Sequence, residues 1–142
     1  MKYSLAQVAS IIGASAPELA DEIVITGVST DTRMLQRGAL FFALSGGNYD
    51  GDAFVEEAFA KGAAGVVTHG VHESGPCLVV EYPLAALQQL AGEHRHRSNA
   101  TVIAITGSCG KTTSKDMLAA LLGSKHRVVK TQGNLNNDIG CP

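Results

Sequence analysis

TVIAITGSCGKTTSKDMLAALLG, residues 101–123, decides the fold class. An apolar run of the buried-strand kind, TVIAI, leads into a glycine-rich turn, TGSCG. The turn opens into KTTSKDMLAALLG, a helix with its apolar residues on one side. Strand, tight turn and helix in that order form an α/β unit whose helix N-terminus faces an anion. Gly107 and Gly110 allow backbone conformations that a Cβ would block. The N–H groups of Gly107, Ser108, Cys109 and Gly110 can then point inward at phosphate oxygens. Lys111 would reach the β- and γ-phosphates, the Thr112 hydroxyl would ligate Mg²⁺, and Thr113 could donate as well. The competing reading is a glycine-rich turn with a surface lysine. The loop is the short form T-G-x-x-G-K-T-T, because Ile105 stands where the general phosphate-loop motif has its first glycine.

Outward from this unit, the rest of the chain also alternates strands and helices. Leu5, Val8, Ala9 and Ile12 recur at helical spacing, with Ser4 as N-cap and Gly13 as the stop. EIVITGVS (22–29) reads as a strand, MLQRG as a turn, ALFFAL (39–44) as a strand and SGGNYDG as a loop. Asp52 is positioned to cap a helix through AFVEEAFAKG that closes on Gly62. AAGVVTH and CLVVEY read as strands. Pro83 opens a helix, PLAALQQLAGEHRHR. A fresh strand-loop-helix unit begins after Arg97–Ala100, so two domains are expected, 1–98 and 99–142. His94 and His96 lie two apart on the helix, do not share a face, and are expected at its solvated end rather than on a metal.

The bulk numbers exclude several classes. The chain has 142 residues, 45% hydrophobic and 17% charged, which is globular composition. A net charge of −2 leaves no footprint for nucleic acid. Three widely spaced cysteines, Cys77, Cys109 and Cys141, form no Cys-x-x-Cys pair and read as free thiols of a reducing cytosol. The N-terminal stretch is a poor secretion signal, and the apolar runs are too short to span a bilayer.

Four stretches together resemble the Mur ligase family. TGSCGKTTSK resembles the family's ATP loop. TQGNLNNDIGCP (131–142) is similar to T-x-G-N-x-N-N-x-I-G-x-P, a signature of the member that adds a dipeptide. VSTDTR (28–33) resembles the S-x-D-S-R element, and RGALFFALSGGNYDGDAF (37–54) the G-D-L-F-x-A-L-x-G-x-x-x-D-G-H-x-F element. Two positions depart from the pattern: Asp52 stands where His is usual, and Cys109 where Asn or Ser is common.

The resemblance implies a small mixed-sheet N-terminal domain followed by the start of a Rossmann-like nucleoside-triphosphatase domain. It implies a cytoplasmic, monomeric bacterial enzyme of cell-wall precursor synthesis that uses ATP and Mg²⁺. Its substrates would be UDP-N-acetylmuramoyl-tripeptide and D-alanyl-D-alanine. The tripeptide carboxylate attacks the γ-phosphate, giving an acyl phosphate, and the dipeptide amine then displaces phosphate. Lys111 and Thr112 carry the phosphoryl-transfer role. Ser29, Asp31, Thr32, Arg33, Ser45 and Gly46 are carried over as the UDP-substrate contacts, and Asn134, Asn136 and Asn137 as lining the cleft. Arg33 suits a diphosphate through paired charge-assisted hydrogen bonds, while the hydroxyls and Asp31 equally suit turn-building. Full members are much longer, so the chain is expected to be an N-terminal part without ligase activity of its own. Alternatives are the related ligase that adds the third amino acid, a UDP-sugar-binding module with a vestigial loop, and a small phosphate-loop kinase or GTPase. The last is disfavoured because little chain follows the loop.

Overall fold

The computed structural model describes residues 3–46 and 50–131. The chain forms two compact units, residues 1–94 and 95–142. In the first, β1 (Tyr3–Ser4) pairs antiparallel with β2 (Val24–Ile25). A separate four-stranded sheet, all parallel, runs in the order β3 (Gly27–Ser29), β4 (Ala39–Phe42), β5 (Gly65–Thr68), β6 (Cys77–Val79). The helices are α1 (Leu5–Ile12), α2 (Val55–Ala60) behind a 3-10 turn (Gly51–Phe54), and α3 (Pro83–Arg97).

The helix ends follow their local chemistry. The Ser4 hydroxyl accepts from the Gln7 N–H and the Gln7 side chain accepts from the Ser4 N–H, a capping box. Gly13 closes α1 in the left-handed conformation, φ 69°. At its far end α3 returns to β1: His94 Nδ1 lies 3.4 Å from the Tyr3 hydroxyl, with the rings edge-on.

β4 and β5 are buried along their whole length, as an unbroken apolar run predicts for a parallel strand covered on both faces. Alternation then divides the core. Leu40, Phe42, Val67 and Leu78 pack with Leu5, Val8 and Ile12 of α1 and with Ala86, Leu87 and Leu90 of α3. Phe41, Ala43 and Val66 pack on the opposite face with Val55 and Ala58 of α2.

The expected strand over 22–29 is two strands. The chain changes sheet at Thr26, whose N–H donates to the Gly38 carbonyl at 3.0 Å, so β2 serves one sheet and β3 the other.

The second unit contains α4 (Lys111–Gly123). The strand expected at TVIAI is not formed: residues 101–107 pair with no strand, and Val102 is 59% and Ile103 54% exposed. A parallel strand exists only by hydrogen bonding to a neighbour. Among the described residues of this unit no partner strand is present. Lysines bind the unit internally: Lys115 Nζ donates to the Thr131 carbonyl at 2.7 Å, and Lys130 Nζ to Asp116 Oδ1 at 2.7 Å.

Candidate functional site

Parallel strands put all their C-terminal ends on one edge, where ligands of open α/β sheets bind. Here that edge gathers three loops. The first follows β3 and carries Ser29, Asp31, Thr32 and Arg33. The second follows β4 and carries Ser45, Gly46 and Asp50. The third follows β5 and carries His69, Gly70 and His72.

The first loop is a self-bonded turn. The Ser29 hydroxyl donates to the Asp31 carbonyl at 2.8 Å, and the Asp31 carboxylate accepts the Arg33 N–H at 2.9 Å. That carboxylate also grips the guanidinium, with Arg33 Nε 3.0 Å from both oxygens and Nη2 2.6 Å from Oδ2. The bidentate grip orients a side chain that is 84% exposed. Hydrogen bonding from Arg33 holds the Asp31 carboxyl well below its usual range, at about 2. Thr32 points the other way. It is buried, and its carbonyl accepts from Lys61 Nζ at 3.0 Å.

The two ends of the second loop are bonded to each other. The Ser45 hydroxyl donates to Asp50 Oδ1 at 2.9 Å and accepts the Gly51 N–H at 3.3 Å. A Cβ on Gly51 would lie 2.3 Å from the Leu44 carbonyl oxygen and 2.5 Å from the Ala43 carbonyl carbon, so only glycine fits. Asp50 is the N-cap of the 3-10 turn, its carboxylate accepting the Asp52 N–H at 3.1 Å. The capping role expected for Asp52 therefore falls to Asp50, two residues earlier, because the turn begins at Gly51.

Asp52 reaches across to the third loop instead. Its Oδ1 accepts the Thr68 hydroxyl at 2.6 Å, and its Oδ2 accepts the Gly70 N–H at 3.0 Å and meets His72 Nε2 at 3.3 Å. His69 Nδ1 lies 3.3 Å from Oδ1. Burial alone would raise the Asp52 carboxyl. The Thr68 and His72 hydrogen bonds and the two imidazole charges outweigh it, leaving the group below its usual value. Asp50, Asp52 and His69 bring three ligand-type atoms within 4.8 Å of one another. Each Asp52 oxygen already accepts from the third loop, Oδ1 from Thr68 and Oδ2 from Gly70, so the cluster acts as a hydrogen-bond hub joining two loops. Nothing local in the sequence signals this hub, since its partners stand 16 to 20 residues from Asp52 and no motif joins them.

The phosphate loop lies in the second unit. Gly107 and Gly110 adopt φ 148° and 77°. Neither is short of space for a Cβ, so backbone conformation is what demands glycine here. Gly110 is the N-cap of α4, with no side-chain cap hydrogen bond, and a helix N-terminus of this kind favours an anion. Lys111 Nζ folds back to the Gly107 carbonyl at 2.5 Å, over the loop it would share with a phosphate. Ser108, Cys109, Thr112 and Thr113 are exposed around it. Asn134, Asn136 and Asn137 lie outside the described residues.

The model of the Mur ligase family, catalytic domain, matches residues 24–97, and that of the Mur ligase middle domain matches residues 105–142. The chain belongs to the Mur ligase family. Among its Mur ligase relatives is the UDP-N-acetylmuramoyl-tripeptide–D-alanyl-D-alanine ligase of Bacillus subtilis, 42% identical over 147 residues, covering 100% of this chain and 32% of that protein. The enzyme of the same name from Escherichia coli is 42% identical over 85% of this chain and 27% of its own length. A crystal structure of MurF from Acinetobacter baumannii matches 99% of this chain and 31% of that one, with a TM-score of 0.89 at 31% identity. The MurF ligase of Thermotoga maritima, solved in complex with ADP, matches 80% of this chain and 27% of its own, with a TM-score of 0.70 at 34% identity. The chain thus spans about a third of the length of the curated Mur ligases it matches. Among the described residues, no helix is long and apolar enough to cross a membrane.

Proposed function

We propose that this chain carries the substrate domain and phosphate loop of an ATP-dependent ligase. The ligase joins D-alanyl-D-alanine to UDP-N-acetylmuramoyl-tripeptide in the bacterial cytoplasm. The observation that carries the reading is the identity of the relatives: proteins named for that one activity align with the whole chain, across both units. Residues 1–98 serve the UDP-linked substrate and residues 99–142 begin the ATP domain.

In this reading the Arg33 guanidinium, held by Asp31, faces the diphosphate, with Ser29, Ser45 and Gly46 around it. Thr32 builds the turn from behind. The uncapped α4 N-terminus and the amides of residues 107–110 fit a phosphate cradle, and Lys111 swings from the Gly107 carbonyl to a phosphate oxygen. Mg²⁺ on the Thr112 hydroxyl would supply further charge neutralisation. Phosphoryl transfer depends chiefly on such positioning and neutralisation. The transfer activates the tripeptide carboxylate as an acyl phosphate, and the dipeptide amine attacks its carbonyl carbon as phosphate leaves.

Calorimetric titration with UDP-N-acetylmuramoyl-tripeptide and with Mg-ATP tests both halves. Binding of each is expected. Lys111→Ala should abolish only the ATP heat, and Arg33→Gln should weaken only the UDP ligand. A wild-type protein that takes the UDP ligand but ignores Mg-ATP would instead be a binding module with a vestigial loop.

A further inference from the structure

The loop that presents Arg33 belongs to an unusual crossover. Residues 30–38 connect two adjacent parallel strands, β3 and β4, without a helix. Bonds within 29–33 fix Arg33 relative to its own loop, but not the loop relative to the sheet. Lys61 and Gly62, directly after α2, provide that tie. Lys61 Nζ donates to the Thr32 carbonyl at 3.0 Å, bridging 29 residues of sequence, and to Glu57 Oε1 at 2.6 Å. The Gly62 carbonyl accepts the Gly38 N–H at 2.8 Å at the crossover's other end. Thr32 itself is buried. α2 itself is fixed, with Val55 and Ala58 buried against Phe41 and Val66. A rigid path therefore runs from the core through α2 and Lys61 to the residue preceding Arg33.

An exposed Glu–Lys pair one helical turn apart is ordinarily worth little. This one differs because the ammonium also satisfies a carbonyl on a residue that is only 6% exposed. Removing the ammonium would orphan that acceptor, and the loop would have to move to recover a partner.

We propose that Lys61, supported by Glu57, is a positioning residue for the UDP-substrate loop, holding residues 29–33 so that Arg33 meets the diphosphate. The assignment of the diphosphate to Arg33 rests on the function proposed above; the tether itself does not. Two measurements separate them. Hydrogen exchange on Lys61→Met should show faster exchange confined to residues 29–33, with β4 and β5 amides still protected. Unchanged exchange at 29–33, or loss of protection throughout the unit, would overturn the tether. Titration with UDP should give Lys61→Met a Kd about tenfold above wild type, the loss of roughly one charge-assisted hydrogen bond. Lys61→Arg should recover most of it, because a guanidinium can reach both acceptors. A wild-type Kd in Lys61→Met, with wild-type UDP binding intact, overturns the positioning role. No UDP binding by wild type overturns the substrate assignment while leaving the exchange result to judge the tether.

Discussion

The two glycine loops of this protein use glycine for opposite reasons. Gly51 sits where one piece of backbone presses on another, and a Cβ there has nowhere to go. Gly107 and Gly110 each have room for a Cβ and are needed only for their positive φ. The contrast extends to the units that hold them. The loops of the first unit hang from a sheet buried on both faces, whereas α4 of the second buries no residue and its surroundings are joined by lysine hydrogen bonds. Packing fixes one loop, and local backbone conformation fixes the other.

Substitution by alanine should expose that difference most sharply. Gly51→Ala forces the 3-10 turn off the end of β4 and should cost about 3 kcal/mol or more, as overpacking against unyielding backbone does. Gly110→Ala asks only for a left-handed alanine, about 1–2 kcal/mol, and its effect should stay within the second unit. Chemical denaturation followed by a probe in the first unit checks both. A large loss is expected for Gly51→Ala and none for Gly110→Ala. Comparable losses from the two would mean that the loops are held in the same way.

Asp52→Asn comes next in size. The amide keeps the shape, and its oxygen can still accept the Thr68 hydroxyl. Its NH₂ then meets the Gly70 N–H, donor against donor, at the position Oδ2 now occupies. Leaving one such group unsatisfied should cost about 1–3 kcal/mol. The wild-type contribution also has a pH sign. The folded-state carboxyl is lowered. Its stabilisation is therefore complete above the unfolded-state value and is lost as pH falls through the folded one. Denaturation curves across the acidic range should converge for wild type and Asp52→Asn. Curves that stay parallel down to strong acid would show that the hub does not depend on charge.

What the sequence made legible follows the same division between local and distant causes. The start and stop of α1 and the start of α3 could be read because their signals are local: the Ser4 cap, Gly13 and Pro83. β4 and β5 were readable as apolar runs, since burial on both faces leaves few polar positions; Thr68 at the end of β5 is the exception, its hydroxyl spent on Asp52. The change of sheet at Thr26 was not readable, because it depends on a backbone bond to Gly38. The pairing of residues 101–107 depends on a neighbour that no local pattern supplies. At the site, residues 29–33 and the phosphate loop stood out as motifs. Asp52 did not, because its partners are distant in sequence, and a helix cap was the best use for an aspartate judged by its neighbours alone. Lys61 was likewise hidden behind an ordinary i, i+4 pair.

The smallest effect concerns Asp31 and separates orientation from stability. Its carboxyl, held at about 2 by Arg33 from a reference of 3.8, lies on a side chain that is partly exposed. Solvent and salt screen an exposed pair, so its contribution to folding is slight even though its titration is shifted. The sign follows the carboxylate rule. Whatever stabilisation the pair supplies is whole above pH 4 and disappears as pH falls from there toward 2. Carboxyl-carbon NMR should place the Asp31 midpoint near 2, and Arg33→Gln should return it toward 3.8 while the unfolding midpoint hardly moves. An Asp31 that titrates normally in wild type would mean that the guanidinium is not gripped in solution. Arg33 would then have to be ordered by the ligand on binding, at an entropic cost, instead of being presented in advance.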